Sequence, residues 1–136
     1  MAVFAHSYGS RTATYALSTG DSADALVMFG SPGVAETVQS ASDLDVPSGQ
    51  VFVTRADADF WAPVGLGLSR ENLRDNPDPI RSSFGAERNS SEDSGSLEGV
   101  DDHGILEDAN SNGEKQGYMD RETSSLNRMA EIGLGG

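Results

Sequence analysis

The sequence has no cysteine. Disulfides and thiolate metal sites are therefore excluded, although the redox compartment is not fixed by that absence. Basic residues are scarce. Nine lysines and arginines stand against 22 aspartates and glutamates, a net charge of -13. A surface of that sign repels phosphate backbones and anionic membranes, which argues against nucleic-acid binding. The acidity is read as a device for solubility rather than as a recognition site. Long apolar runs are also missing. None approaches the ~20 residues that a spanning helix requires, and no basic start precedes an apolar segment in the manner of a signal peptide. The default expectation is a cytoplasmic chain. At 136 residues it is at most one domain, and it contains no internal repeat.

The informative stretch comes first. Ala2 to Ala5 is a short apolar run that feeds Ala5-His6-Ser7-Tyr8-Gly9, and a helical stretch from Ser10 to Ser18 follows directly. This is the pattern of a nucleophile elbow, G-x-S-x-G between a strand and a helix, with Ala5 in place of the first glycine. The turn is tight, so small residues are expected two before and two after the serine. It lifts the Ser7 hydroxyl out of the sheet and sets the Tyr8 amide at the positive end of the next helix, where an oxyanion can be stabilised. The same five residues also suit a plain strand-turn-helix connection, so a later acid and a later histidine are needed to support chemistry.

Further along, Ala13, Ala16 and Leu17 mark an amphipathic helix with small residues on its buried face, closed by Gly20-Asp21. Ala25 to Gly30 is an unbroken apolar run, too short for a helix, as expected of a strand buried on both faces of a parallel sheet. Ser31-Pro32-Gly33 ends it. Ala35 to Leu44 is a weaker helix candidate through Val38 and Leu44. Val51 to Thr54 reads as a third strand. This alternation predicts an α/β fold with three or four parallel strands and flanking helices, whose ligands sit beyond the carboxyl ends of the strands. The segment from Pro63 to Gly85 is loop-like, with a short helical turn at 68–73. The region of about 86–120 is polar and is expected to be a partly mobile surface loop. Leu126, Met129 and Ala130 predict a closing helix from Ser124 to Ile132.

A serine nucleophile needs a base, and the base needs an orienting acid. The order in α/β-hydrolases is Ser, then Asp or Glu, then His. Of the two histidines, His6 adjoins Ser7, and adjacent side chains diverge. His103, in a loop beside Asp102 and Gly104, is left as the base. The loop after the third strand offers Asp57 and Asp59 as the acid. Asp59 is preferred because Phe60-Trp61 after it can pack and fix its direction, and Asp57 is kept as the alternative. Metal chemistry is the competing reading. Asp101, Asp102, His103 and Asp108 cluster in sequence, and Asp108-Ala109-Asn110-Ser111-Asn112-Gly113-Glu114 matches the first half of a calcium loop. Position twelve, where such a loop closes on Glu, is Met119 here, so a polar turn is the preferred reading and no metal site is assigned.

Taken together, His6-Ser7-Tyr8-Gly9-Ser10, Phe29-Gly30-Ser31-Pro32-Gly33, Val53-Thr54-Arg55-Ala56 with the following Asp pair, and Ser83-Phe84-Gly85-Ala86 resemble the C-terminal half of an actinobacterial α/β-hydrolase family, one catalogued as a domain of unknown function. His103, followed by Tyr118 and Ser124-Ser125-Leu126-Asn127, resembles its histidine-to-closing-helix segment. The resemblance implies an esterase- or lipase-like serine hydrolase for small-molecule esters or related acyl compounds, with no cofactor. Ser7 would be the nucleophile, Asp59 or Asp57 the acid, His103 the base and Tyr8 an oxyanion donor. The stretch between His103 and Tyr118 is longer than the family pattern. The resemblance further implies N-terminal strands before the elbow, and a loop with a second oxyanion amide, that are missing from this sequence. The chain alone is therefore expected to be impaired, with an exposed strand edge prone to self-association. The competing expectations are a non-catalytic fragment or binding module that keeps the elbow as a turn, and a calcium-binding loop protein.

Overall fold

An unbroken apolar run cannot alternate between core and water, so the run at 25–30 needs cover on both of its faces. The computed structural model, which describes residues 1–57, 59, 77–107 and 115–135, supplies that cover. Strand β1 (Ala2–His6) leads into helix α1 (Gly9–Thr19). Then come β2 (Ala25–Phe29), β3 (Val51–Thr54), β4 (Glu87–Asn89) and helix α2 (Ser124–Gly133), with short 3-10 turns at Ala41–Asp43 and Ser82–Phe84. The four strands form one sheet in the order β1-β2-β3-β4, and every neighbouring pair is parallel. The expected α/β architecture with flanking helices is what the chain adopts.

Strand alternation divides the apolar residues between two cores. Val3, Ala5, Leu26, Met28, Val51 and Val53 face one core, with Leu17 of α1, Val38 and Phe84. Ala25, Val27, Phe29 and Phe52 face the other, with Val100, Tyr118 and the α2 residues Met129 and Ile132. Every residue of β2 and β3 is buried. Full burial of each Val, Leu, Met or Phe side chain contributes ~1.5–3 kcal/mol, so these two central strands anchor both layers. In β1 the same alternation sends His6 to the α2 side, in register with Phe29.

Four local expectations are corrected. The buried face of α1 is Ser10, Thr14 and Leu17, one position away from the Ala13–Ala16 stripe, which is only partly buried. Small hydroxyl residues are admitted there because each finds a partner. Ser10 Oγ donates to the Ala5 carbonyl (3.3 Å). Thr14 Oγ1 donates to the Ser10 carbonyl (2.7 Å) and accepts from the Ala35 amide (2.9 Å). The stretch from Ala35 to Leu44 forms no α-helix, although Val38 and Leu44 are buried as expected. Its hydroxyls and carboxylate compete for the backbone: Asp43 Oδ2 accepts from the amides of Gln39 and Ser40 at 2.8 and 2.9 Å, closing a capping box on a single 3-10 turn.

In α2 the buried face runs through Ser125, Met129 and Ile132, while Ala130 is exposed and Leu126 only partly buried. Finally, the polar region begins with a strand. β4 pairs with β3 from Phe52↔Glu87 to Thr54↔Asn89, yet its three residues carry no apolar pattern. A charged edge strand needs only main-chain partners, and its charges discourage further pairing. The helical turn expected at 68–73 lies outside the described residues. Among the described residues, no helix is long and apolar enough to cross a membrane.

The Thr14 hydroxyl ties α1 to the chain after β2 by accepting from the buried Ala35 amide. Thr14→Val keeps the shape and leaves the Ala35 amide buried without its acceptor, so a loss of ~1–3 kcal/mol is expected in urea unfolding. The exposed neighbour substitution Thr12→Val should stay within ~0.5 kcal/mol of the parent.

Candidate active site

β1 ends at His6, and the chain reverses into α1 within two residues. Ser7 stands at the bend with φ +50°, a left-handed conformation that non-glycine residues rarely adopt and that marks stored strain. The bend is held from both sides. The Ser7 amide donates to the Phe29 carbonyl (3.0 Å), and the Ser7 carbonyl accepts from the Ser10 amide (3.1 Å). Ala5 is buried, as a tight turn requires. Gly9 differs from expectation: a Cβ built there meets no atom within 4 Å, so the demand for a small residue falls on Ala5 alone among the described residues.

Three side chains from distant parts of the chain converge on this bend. Ser7 Oγ lies 2.7 Å from His103 Nε2. On the other side of the ring, His103 Nδ1 lies 2.8 and 2.9 Å from the two carboxylate oxygens of Asp59. A nitrogen facing a carboxylate carries the proton, which leaves Nε2 as the acceptor for the Ser7 hydroxyl. The Asp59 side chain is fully buried and that of His103 is 20% exposed, so the acid is dry while the ring edge reaches the surface. Asp57 is placed differently. It is exposed, and its amide donates to Glu92 Oε1 (3.0 Å). The structure brings Asp59 rather than Asp57 to the histidine. Tyr8, whose amide was expected to serve an oxyanion, sits at the N-cap of α1.

Two residues complete the support of Asp59. Tyr118, fully buried, donates its hydroxyl to Asp59 Oδ2 (2.7 Å) and accepts from the Ala56 amide (3.0 Å). Burial pushes the Tyr118 phenol well above the ordinary tyrosine range, so it remains a donor throughout the physiological range. Gly30, at the carboxyl end of β2, has φ +57°, and a Cβ there would lie 3.0 Å from Asp59 Oδ2, 3.1 Å from Tyr118 Cε2 and 3.2 Å from His103 Cε1. The missing side chain is the space into which the three groups pack. Nearby, Arg55 joins Asp78 (2.8 Å) and the Ser31 carbonyl (3.1 Å), tying the exit of β3 to the loop after β2.

His6 is not on the serine. Its Nε2 lies 2.6 Å from the His103 carbonyl oxygen, and its ring packs 4.9 Å from the His103 ring and 5.2 Å from Phe29. Burial pushes the His6 imidazole below its ordinary 6.5, opposed by the hydrogen bond to His103 and reinforced by that residue's charge. Tyr118, Gly30 and His6 were not singled out as site residues from the sequence. Gly30 and Tyr118 stand in segments that carry the family resemblance, and the strand alternation of β1, which puts His6 on the opposite face from Ala5, could have pointed to His6. The calcium-like stretch at 108–114 lies outside the described residues. Of its neighbours, Asp101 accepts from the Gln116 amide and Asp102 from Lys115 Nζ and the His103 amide. Among the described residues, no group of three or more His, Asp or Glu side chains could hold a metal.

The cramped position of Gly30 gives a sharp expectation. Gly30→Ala forces a left-handed alanine and displaces Asp59 or His103, and should cost ~1–3 kcal/mol in urea unfolding. It should also displace the His103 side-chain resonances in NMR. An alanine accepted without either change would mean that the three groups are less closely packed than described.

A search of the curated proteins and of the solved structures found no match to the chain. The parallel four-stranded sheet with its flanking helices corresponds to a partial α/β-hydrolase fold, and residues 1–65, from β1 through the exit of β3, match the family model described as alpha/beta hydrolase.

Proposed function

We propose that the chain is a serine hydrolase acting on a small-molecule ester or related acyl compound. The observation that carries this reading is the continuous line Asp59–His103–Ser7, with both links at 2.7–2.9 Å and the serine on a strained bend. In this mechanism His103 Nε2 takes the Ser7 proton as Oγ attacks the acyl carbon. The carbonyl π pair moves onto oxygen, and the Tyr8 amide at the start of α1 is the donor for that oxyanion. The C–O bond to the leaving alcohol then breaks, and His103 returns the proton to the alcohol. Water repeats the cycle on the acyl-enzyme. Asp59 keeps the proton on Nδ1 and stabilises the imidazolium. No cofactor enters any of these steps.

Exposed apolar groups neighbour Ser7 and His103 in sequence. Tyr8, next to Ser7, is 65% exposed, and Ile105 and Leu106, two and three residues after His103, are 42% and 55% exposed. They favour an apolar acyl or alkyl group over a charged one.

A fluorophosphonate probe read by intact mass tests the proposal. One adduct is expected on the chain, absent in Ser7→Ala. No adduct after long incubation would overturn the acyl-transfer reading and favour a binding module that keeps the elbow as a turn.

A further inference from the structure

A catalytic histidine on a loop has to be held at its backbone as well as at its ring, because a shift of 1 Å at the reacting atoms can cost ~10²-fold in rate. His103 lies on such a loop, outside any strand or helix. Its neighbours are fastened to the segment that follows. Asp101 N bonds to the Gln116 carbonyl, the Gly104 carbonyl accepts from Tyr118, and the Ile105 carbonyl accepts from Met119, at 2.8, 3.0 and 2.8 Å. Those bonds tie loop to loop. The His103 amide bonds only to its neighbour Asp102 (2.7 Å) among the described residues. The His103 carbonyl is held by His6 Nε2 at 2.6 Å, and His6 is the last residue of β1. That bond is the sole hydrogen bond, among the described residues, between the His103 main chain and the sheet.

We propose that His6 is a positioning residue for His103: its Nε2–H holds the His103 carbonyl, so that the residue before the nucleophile fixes the backbone of the base. The inference rests on the acyl-transfer reading only for its effect on rate, since the geometry stands without it. It assigns opposite tautomers to the two rings. His6 must carry its proton on Nε2 to donate to a carbonyl, whereas His103 carries its proton on Nδ1 against Asp59 and leaves Nε2 to accept from Ser7. The ring of His6 also supplies packing, 5.2 Å from Phe29 and 6.0 Å from Tyr118. The depressed basicity of His6, caused first by burial, suits the role, because a second cation 4.9 Å from His103 would oppose the imidazolium that His103 has to become. The groups facing His6 that bear on its charge are His103 and Asp59.

Two substitutions separate the hydrogen bond from the packing. His6→Phe keeps the ring and loses the donor. His6→Gln loses the ring but sets an amide nitrogen at the same reach as Nε2. Long-range ¹H–¹⁵N NMR of the imidazole nitrogens should show His6 as the Nε2–H form and His103 as the Nδ1–H form in the unmodified chain. The His103 Nδ1–H signal should be lost to exchange in His6→Phe and retained in His6→Gln. Phosphonylation of Ser7 should fall ~10²-fold in His6→Phe and be largely restored in His6→Gln. Equal losses in the two variants, or none in His6→Phe, would overturn the inference. So would a His6 found as the Nδ1–H form, a result that needs no variant to fold. The tautomers do not depend on reactivity. An unlabelled Ser7 would therefore sink the acyl-transfer reading while the NMR alone upholds or overturns the role of His6.

Discussion

A carboxylate removed from water must find its compensation within the protein, or it is too costly to bury. Asp59 is 2% exposed and finds that compensation in the His103 Nδ1–H and the Tyr118 hydroxyl. Much of the site's arrangement follows from this one requirement. The acid needs a ring beside it, so the loop carrying His103 folds back over the carboxyl ends of the strands. It needs a second donor, so Tyr118 is drawn fully into the core beneath α2. It needs room, so β2 is followed by Gly30 rather than by a sixth apolar side chain. Removing any of these partners leaves a buried charge with less to hold it.

The sheet serves that pairing by bringing sequence-distant ends together. Parallel strands point their carboxyl ends the same way, so the residues after β1, β2 and β3 all open on one edge. Ser7 follows β1, Gly30 follows β2, and Asp59 follows β3 after a short exit loop. The two-sided burial of β2 and β3 makes the edge a rigid base, while the residues that do the ordering, Tyr118 and His103, come from polar chain beyond β4. The left-handed Ser7 and the left-handed Gly30 both occur where a strand ends against this edge. At Ser7 the bend stores strain, whereas Gly30 adopts its conformation at no steric cost.

How much of this could be read from the amino acids follows from the kind of signal each part sends. Continuous apolar runs announced β2 and β3, because two-sided burial leaves no room for polar residues. The strand-to-helix turn at Ser7 was legible because an apolar run, a turn flanked by small residues and a helical stretch follow one another directly. β4 was not legible, since an edge strand is held by its main chain and Glu87, Arg88 and Asn89 carry no pattern. The helix expected at 35–44 failed for a related reason. Its apolar spacing was adequate, but the Asp43 carboxylate binds the backbone amides of Gln39 and Ser40, the Ser40 and Ser42 hydroxyls pair with each other, and the helix stops after one turn. On α1 and α2 the period was right, and Leu17 and Met129 are buried as expected, but Ala13, Ala16, Leu126 and Ala130 lie beside the buried faces rather than on them. Apolarity alone misjudged faces on which Ser10, Thr14 and Ser125 are buried, Ser10 and Thr14 with hydroxyl partners of their own. His6 was set aside as a base because neighbouring side chains diverge. That geometry is what lets it reach the carbonyl of His103 from beneath.

The account stands or falls on Asp59 as the group that orients His103. Phosphonylation rates for Asp59→Asn and Asp57→Asn, measured beside the unmodified chain, test it most directly. An amide in place of the buried carboxylate no longer holds the proton on Nδ1, and loss of the right tautomer costs about 10⁴-fold in such a constellation. Asp59→Asn is predicted to lose most of that, while the exposed Asp57→Asn labels at the unmodified rate. Equal labelling by Asp59→Asn, or a loss in Asp57→Asn as large as in Asp59→Asn, would contradict the account.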